Sequence, residues 1–84
     1  MKFCLVTFRS VTPAQRAESA LRRGGFSCTL QRTPKWMEEQ GCGYSLRVRA
    51  QDSQAVAALL RKQRIPFRKV YLFSPEGEAE ELDL

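Results

Sequence analysis

The feature that most constrains the fold of this 84-residue chain is a pattern that occurs twice. In each half, a strand pattern is followed by an amphipathic helix pattern and then by a second strand pattern. Residues 2–8 are apolar on both parities, which is typical of a central strand, whereas residues 26–32 and 44–49 alternate apolar and polar side chains. Residues 67–73 are rich in aromatic and β-branched side chains. These four segments are the predicted strands.

A helix is predicted between the two strands of each half. Thr12 is a candidate cap for the first helix, and the two glycines at 24–25 are expected to end it. The second helix is expected to begin after Asp52 or Ser53 and to end near residue 63. The apolar side chains that recur at helical spacing, and are therefore expected to face the core, are Ala14, Ala17, Ala20, Leu21, Val56, Leu59 and Leu60.

Two strand-helix-strand units joined by one loop have few ways to pack, because each unit requires a right-handed crossover. We therefore predict an α+β fold, a ferredoxin-like βαββαβ sandwich with a four-stranded antiparallel sheet and two helices on one face. A chain of this length has room for one small core. The prediction is a single domain over residues 1–75, in which the loop 33–43 connects the two halves.

The last nine residues, 76–84, differ in composition from the rest of the chain. They contain five acidic side chains and no basic one, whereas the other 75 residues carry 14 basic and 4 acidic side chains. This composition predicts a disordered acidic tail. The contrast in charge favours an anionic partner for the basic body, or a tail that folds back weakly on that body. An effect on solubility alone is the simpler alternative.

The strongest candidate for a functional residue is Cys42, which lies between Gly41 and Gly43 at the start of the third predicted strand. The flanking glycines do not shield the sulfur, and they permit a positive φ, so that their N–H groups would be able to face an anion. Lys35 and Arg47 are candidate charge partners that favour the thiolate. The alternative is that Cys42 fills a turn as a small apolar side chain. Core packing is the favoured interpretation for the other two cysteines, Cys4 and Cys28.

The sequence also disfavours several classes of function. The chain has no histidine, which excludes Cys-His and Ser-His-Asp catalysis. Three cysteines spaced at 4, 28 and 42 form neither a C-x-x-C motif nor a closed disulfide set, so we expect no structural metal. No cofactor fingerprint is present. The chain has neither a long apolar run nor a secretory signal pattern, so we expect no membrane association and a cytoplasmic location.

A second hypothesis concerns the sheet face opposite the helices. Arg47, Arg49 and Ser45 are expected on this face or its rim, and together with Tyr71 or Phe3 they are compatible with a nucleic-acid platform of aromatic and arginine side chains. The third predicted strand does not match the aromatic-rich RNP1 pattern. A solvated face, or a face covered by a second copy of the chain in a homodimer, is the favoured alternative.

Two stretches of the sequence resemble a known family. Phe8-Arg9-Ser10 precedes a helix pattern, and Pro34-Lys35 is followed by Cys42-Gly43-Tyr44-Ser45-Leu46-Arg47. These stretches resemble the small selenium/sulfur carrier-like proteins, and the resemblance covers roughly residues 2–73. It implies that sulfur or selenium is handled through Cys42, with Gly43 and Arg47 as the other matching positions. Residues 36–39 depart from the family pattern because they are bulkier and more acidic.

Two functions follow as hypotheses. In the first, Cys42 accepts sulfur or selenium from a donor protein as a persulfide or selenosulfide and passes it to an acceptor enzyme. In the second, the chain is a non-catalytic binding module that uses its basic body or its open sheet face for RNA or for an acidic protein.

Overall fold

A computed structural model describes residues 2–33, 43–74 and 76–84 of the chain. Within these ranges five strands and two α-helices follow one another in the order β1, α1, β2, β3, α2, β4, β5, with a short 3-10 turn at Ala50–Asp52 directly before α2. Their bounds are β1 Phe3–Phe8, α1 Val11–Arg23, β2 Cys28–Arg32, β3 Tyr44–Arg49, α2 Ser53–Lys62, β4 Val70–Phe73 and β5 Ala79–Leu82. Neither helix in the described ranges is long and apolar enough to cross a membrane.

The strands form one antiparallel sheet in the order β2-β3-β1-β4-β5. β1 lies in the middle and pairs with β3 on one side, where Phe8 is opposite Tyr44, and with β4 on the other, where Phe3 is opposite Phe73. The α+β class is therefore confirmed. The predicted number of four strands is wrong, because the structure has a fifth strand beside β4.

The fifth strand comes from the acidic segment for which we expected no ordered structure. β5 pairs with β4 so that Glu81 is opposite Tyr71 and Leu82 is opposite Val70. The prediction of disorder rested on the charge of the segment, whereas two other features favour an ordered strand. Leu82 and Leu84 pack against the core, and the edge of β4 offers backbone groups with which a further strand pairs. Of the alternatives considered for the tail, folding back onto the body agrees with the structure.

The core lies between one face of the sheet and the two helices. α1 contributes small side chains, Ala14, Ala17 and Ala20, together with Leu21, and all four are buried. Because alanine side chains are short, α1 lies close to the sheet. α2 adds Val56, Ala57 and Leu60. The sheet residues of this core cluster alternate along their strands, as half-buried strands require; they are Cys4, Val6, Phe8, Leu46, Val48 and Val70.

The ends of α1 depart slightly from the prediction. The helix begins at Val11 after Ser10, rather than after Thr12, and no side chain hydrogen-bonds to its first turn as a cap. It ends at the predicted glycines. The N–H groups of Gly24 and Phe26 donate to the carbonyl groups of Ala20 and Leu21, and Gly25 has a φ of 87°, a left-handed conformation that glycine adopts without strain.

Candidate functional site

The structure describes only part of the predicted site. Gly43 and Arg47 lie within the described ranges, whereas Lys35, Gly41 and Cys42 lie outside them. Cys42 is bonded directly to Gly43, so the surroundings of Gly43 adjoin the position of Cys42 in the chain. They are formed by three neighbouring segments: the end of β1, the end of β2 and the start of β3.

Gly43 is packed closely against its neighbours. Its carbonyl oxygen accepts a hydrogen bond of 3.0 Å from the N–H group of Thr33. A Cβ atom on Gly43 would lie 3.2 Å from the hydroxyl oxygen of Thr33 and 3.4 Å from the carbonyl oxygen of Phe8. Gly43 is not among the described residues with a positive φ. Close approach therefore favours glycine here, and not the left-handed conformation that the sequence suggested.

A buried hydrogen bond lies beside this contact. The hydroxyl oxygens of Thr33 and Ser45 are 2.6 Å apart, and the two residues are only 6% and 0% exposed. One hydroxyl group donates to the other, so that each has a hydrogen-bond partner in a buried place. The bond joins the last described residue before position 34 to the third residue after Cys42. It thus holds together the two ends of the segment 34–42, and sequence reasoning did not find it.

The end of the sheet at Gly43 adjoins the start of α1. Phe8 is opposite Tyr44 at the end of β1, and α1 begins at Val11, three residues after Phe8. The first turn of a helix has unpaired N–H groups and a partial positive charge, which stabilise a nearby anion. Two exposed arginines flank this end of the sheet: Arg9 follows Phe8, and the Arg32 guanidinium lies 5.7 Å from the centre of the Tyr44 ring. This part of the described structure is therefore electropositive.

Arg47 occupies a different place. Its guanidinium lies 4.0 Å from the centre of the Phe3 ring, and Phe3 is at the opposite end of β1 from Phe8. A strand rises about 3.3 Å per residue, so these two residues are roughly 17 Å apart along β1. Arg47 thus contacts Phe3 and does not lie at the end of the sheet where Gly43 is. A role for Arg47 toward Cys42 stays a prediction.

The two other thiols lie in the sheet. Cys4 and Cys28 are both opposite Val48, on the two sides of β3, so two strand spacings of about 4.8 Å each separate them. This is too far for a disulfide. Cys4 is fully buried, and burial raises the pKa of its thiol. Cys28 is half-buried, and burial also raises its pKa, which the nearby Arg22 only partly offsets. Neither environment favours a thiolate.

The sheet face opposite the helices is not an open platform. The Phe3 ring stacks on the Phe73 ring, with centres 5.1 Å apart and planes 3° from parallel. The Phe3 ring also contacts the Arg47 guanidinium, which comes from β3 on the other side of β1 from Phe73. Leu5 on the same face is only 2% exposed. The Phe3 ring, one of the two aromatic groups of the predicted platform, therefore already contacts side chains of the chain itself, and Tyr71 is half-buried.

Among the described residues, no group of three or more cysteine, aspartate and glutamate side chains is arranged to hold a metal ion. The described part of the site thus consists of a tightly packed glycine, a buried hydroxyl pair, a helix start and two arginines.

Comparison with known families decides which proteins the chain is related to. A family model described as "Putative Se/S carrier protein-like" matches residues 3–72. The chain belongs to this family. The resemblance noted from the sequence is therefore confirmed. No curated protein matches the chain.

The family match has two consequences for the site. It spans β1 to β4, and so includes the whole described surroundings of Gly43 as well as Cys42 in the sequence. It also ends at Leu72, before β5. The fifth strand therefore lies outside the region that the Se/S carrier family model matches.

Proposed function

We propose that this member of the Se/S carrier family carries sulfur or selenium on Cys42, as a persulfide or selenosulfide, and delivers it from a donor protein to an acceptor enzyme. The observation that supports the proposal most is the family match over residues 3–72, which includes Cys42. The burial of Cys4 and Cys28 supports it further, because both alternatives to Cys42 have a raised thiol pKa. The donor and acceptor are proteins of sulfur or selenium metabolism.

The proposed transfer is a displacement without net redox change. The Cys42 thiolate attacks the terminal sulfur of a donor cysteine persulfide, a new S–S bond forms, and the bond within the donor persulfide breaks. The donor cysteine leaves as a thiolate and takes up a proton from water. Delivery to the acceptor repeats the step with the roles exchanged, and selenium follows the same course. Such a carrier needs a nucleophilic thiol but no general base, which agrees with a chain that contains no histidine.

We further propose that the electropositive end of the sheet assists the thiolate. The start of α1 and the side chains of Arg9 and Arg32 are the described groups that support this role. Gly41, Gly43 and Lys35 keep their proposed supporting roles, and Arg47 is the weakest candidate because it packs on Phe3. The strand order β2-β3-β1-β4 supports a ferredoxin-like core to which β5 is added, and the cytoplasm is the proposed location.

Loading with a cysteine desulfurase tests this proposal. The enzyme and cysteine are incubated with the full chain, and the intact mass is then measured. We expect the wild-type protein, and the matched variants Cys4→Ala and Cys28→Ser, to gain the mass of one sulfur atom, while Cys42→Ser gains nothing. A gain that persists in Cys42→Ser and disappears in Cys28→Ser or Cys4→Ala would refute the assignment.

A second candidate function is a non-catalytic binding module for RNA or for an acidic protein. The observation that favours the acidic protein is β5 itself, because this acidic strand lies beside basic side chains. The Nζ atom of Lys69, before β4, lies 3.7 Å from a carboxylate oxygen of Glu81 in β5. Fluorescence anisotropy with short single-stranded RNA at two salt concentrations separates the partners. An RNA partner that contacts about six phosphates would lose orders of magnitude in affinity over a few-fold rise in salt. Because the Phe3 ring already stacks on Phe73 and contacts the Arg47 guanidinium, we expect no such binding.

A further inference from the structure

The fifth strand is attached to the rest of the fold at few points. Three of its four residues are exposed, and only Leu82 is half-buried. It pairs with β4 alone, in a sheet where it is the last strand. Its ion pair between Lys69 and Glu81 is partly exposed on both sides, and such pairs stabilise weakly and are screened by salt. An edge element with so little burial opens more easily than the core.

The strand nevertheless occupies a surface of complementary chemistry. A groove of about 370 Å³ lies between the C-terminal segment and the chain from α2 to β4. The Arg61 guanidinium donates a hydrogen bond to the backbone oxygen of Leu84, and Arg68 and Lys69 also line the groove. Leu82 and Leu84 pack against the core next to these basic side chains. Residues 81–84 form one wall of this groove. The surface on which they lie accepts an extended backbone along β4, an acidic side chain at Lys69 and leucines at alternate positions.

The groove continues toward the candidate site. A second depression shares Pro66, Phe67 and Arg68 with it and reaches Arg9 and Ser10 at the start of α1. The N–H group of Arg68 donates a hydrogen bond of 2.7 Å to the carbonyl oxygen of Thr7, near the end of β1. A segment bound along this continuous surface would end beside the part of the sheet that holds Gly43.

We propose that the edge of β4 and its basic groove are a docking site for an extended acidic segment of a partner protein, and that β5 is the intramolecular competitor for this site. The partner segment would add to β4 as a strand, in which backbone hydrogen bonds give affinity and side chains at alternate positions give specificity. The match to the family model ends at Leu72, so β5 lies outside the matched region. The inference extends the second candidate function and does not depend on sulfur transfer.

Peptide binding to the full chain tests the proposal. The probe is a fluorescently labelled peptide with the sequence of residues 76–84, measured by anisotropy. Leu82→Asp removes the half-buried apolar contact of β5. Glu81→Lys replaces the ion pair with Lys69 by two like charges. Both variants should bind the peptide roughly tenfold or more tightly than the wild type, because the apparent affinity rises with the fraction of molecules in which the edge is open. Circular dichroism checks that each variant is folded.

Groove variants show whether the peptide binds where β5 binds. In the Leu82→Asp background, Lys69→Glu should reduce the affinity at least about tenfold, since it reverses the charge facing the acidic probe. Arg16→Glu, on the exposed side of α1, makes the same change in net charge outside the groove and should leave the affinity within a factor of about two. Equal effects of Lys69→Glu and Arg16→Glu would overturn the proposal, because binding would then follow net charge alone.

Two other results would also overturn it. If neither Leu82→Asp nor Glu81→Lys binds the peptide more tightly than the wild type, β5 does not compete for the site. If light scattering shows that the wild-type protein is a dimer which Leu82→Asp dissociates, the edge is occupied by a second copy of the chain and not by a partner segment. Sulfur loading of Cys42 is measured separately, so failure of the docking proposal and failure of the carrier proposal remain distinguishable.

Discussion

The hydrogen bond between Thr33 and Ser45 is expected to stabilise the base of the segment that carries Cys42. The two hydroxyl oxygens are 2.6 Å apart, and Ser45 is fully buried. In Ser45→Ala the Thr33 hydroxyl keeps its buried position but loses its partner. Leaving a buried polar group unsatisfied costs about 1–3 kcal/mol. We therefore expect the free energy of unfolding to fall by about that amount.

Urea denaturation measures this change. With a slope of about 1 kcal/mol per M for a chain of this size, the midpoint should move down by roughly 1–3 M. The double variant Thr33→Val with Ser45→Ala replaces both hydroxyl groups by apolar groups of similar shape, and should therefore recover part of the loss. A double-mutant cycle should give a coupling free energy of about 1 kcal/mol.

The matched control is Thr29→Val, the same substitution at an exposed position of β2, four residues before Thr33. It should change the free energy of unfolding by less than about 0.5 kcal/mol. If the effects of Thr33→Val and Ser45→Ala add within about 0.3 kcal/mol, the two hydroxyl groups do not interact, and the described geometry of this end of the sheet is wrong.

Two further predictions follow from the structure. Gly43→Ala should lower the free energy of unfolding, measured by urea denaturation, by about 1–3 kcal/mol. The added Cβ atom would crowd the Thr33 hydroxyl, which the hydrogen bond with Ser45 holds in place. The matched control is Gly24→Ala, which should lower the stability less, because Gly24 has a helical φ of −81° and its added Cβ atom would make ordinary contacts. The free energy of unfolding should also decrease as the pH rises above about 8.5, the usual pKa of a thiol in the unfolded chain. Burial raises the pKa of the Cys4 and Cys28 thiols in the folded state. The unfolded state therefore loses its thiol protons at a lower pH than the folded state, which favours unfolding. The loss should be smaller in the variant with Cys4→Ala and Cys28→Ser, and an equal loss in both proteins would contradict the linkage.

The sequence predicted those elements in which local pattern and tertiary role agree. β3 has the predicted bounds of residues 44–49, because its alternation of apolar and polar side chains is the alternation of its two faces. The core face of α1 is likewise as predicted, since Ala14, Ala17 and Leu21 recur at helical spacing. In α2, Ala57 is buried while Leu59 is only half-buried, which shows that residue size alone did not define the face.

The missed features depend on which strands are neighbours. Thr33 and Ser45 are twelve residues apart in sequence and meet only through the register of β2 with β3. The guanidinium of Arg47 lies over Phe3 because β1 and β3 are antiparallel, a contact that separates it from Gly43. β5 was missed because its high charge is typical of disordered chains, although the basic groove beside β4 compensates for that charge. Lys35, Gly41 and Cys42 lie outside the described residues, so their predicted roles rest on the sequence and the family match.

The order in which the three thiols react with an alkylating reagent tests the central claim most directly. The native full-length protein is treated with iodoacetamide, and peptide mass spectrometry follows each cysteine over time. We expect Cys42 to be modified first, Cys28 slowly and Cys4 only after denaturation, because Cys4 is fully buried and Cys28 is half-buried with a raised pKa. Modification of a core thiol requires opening of the fold, which costs up to about 5–15 kcal/mol. If Cys42 reacts more slowly than Cys28 or Cys4, it is a packing residue, and the proposal that it carries sulfur or selenium is wrong.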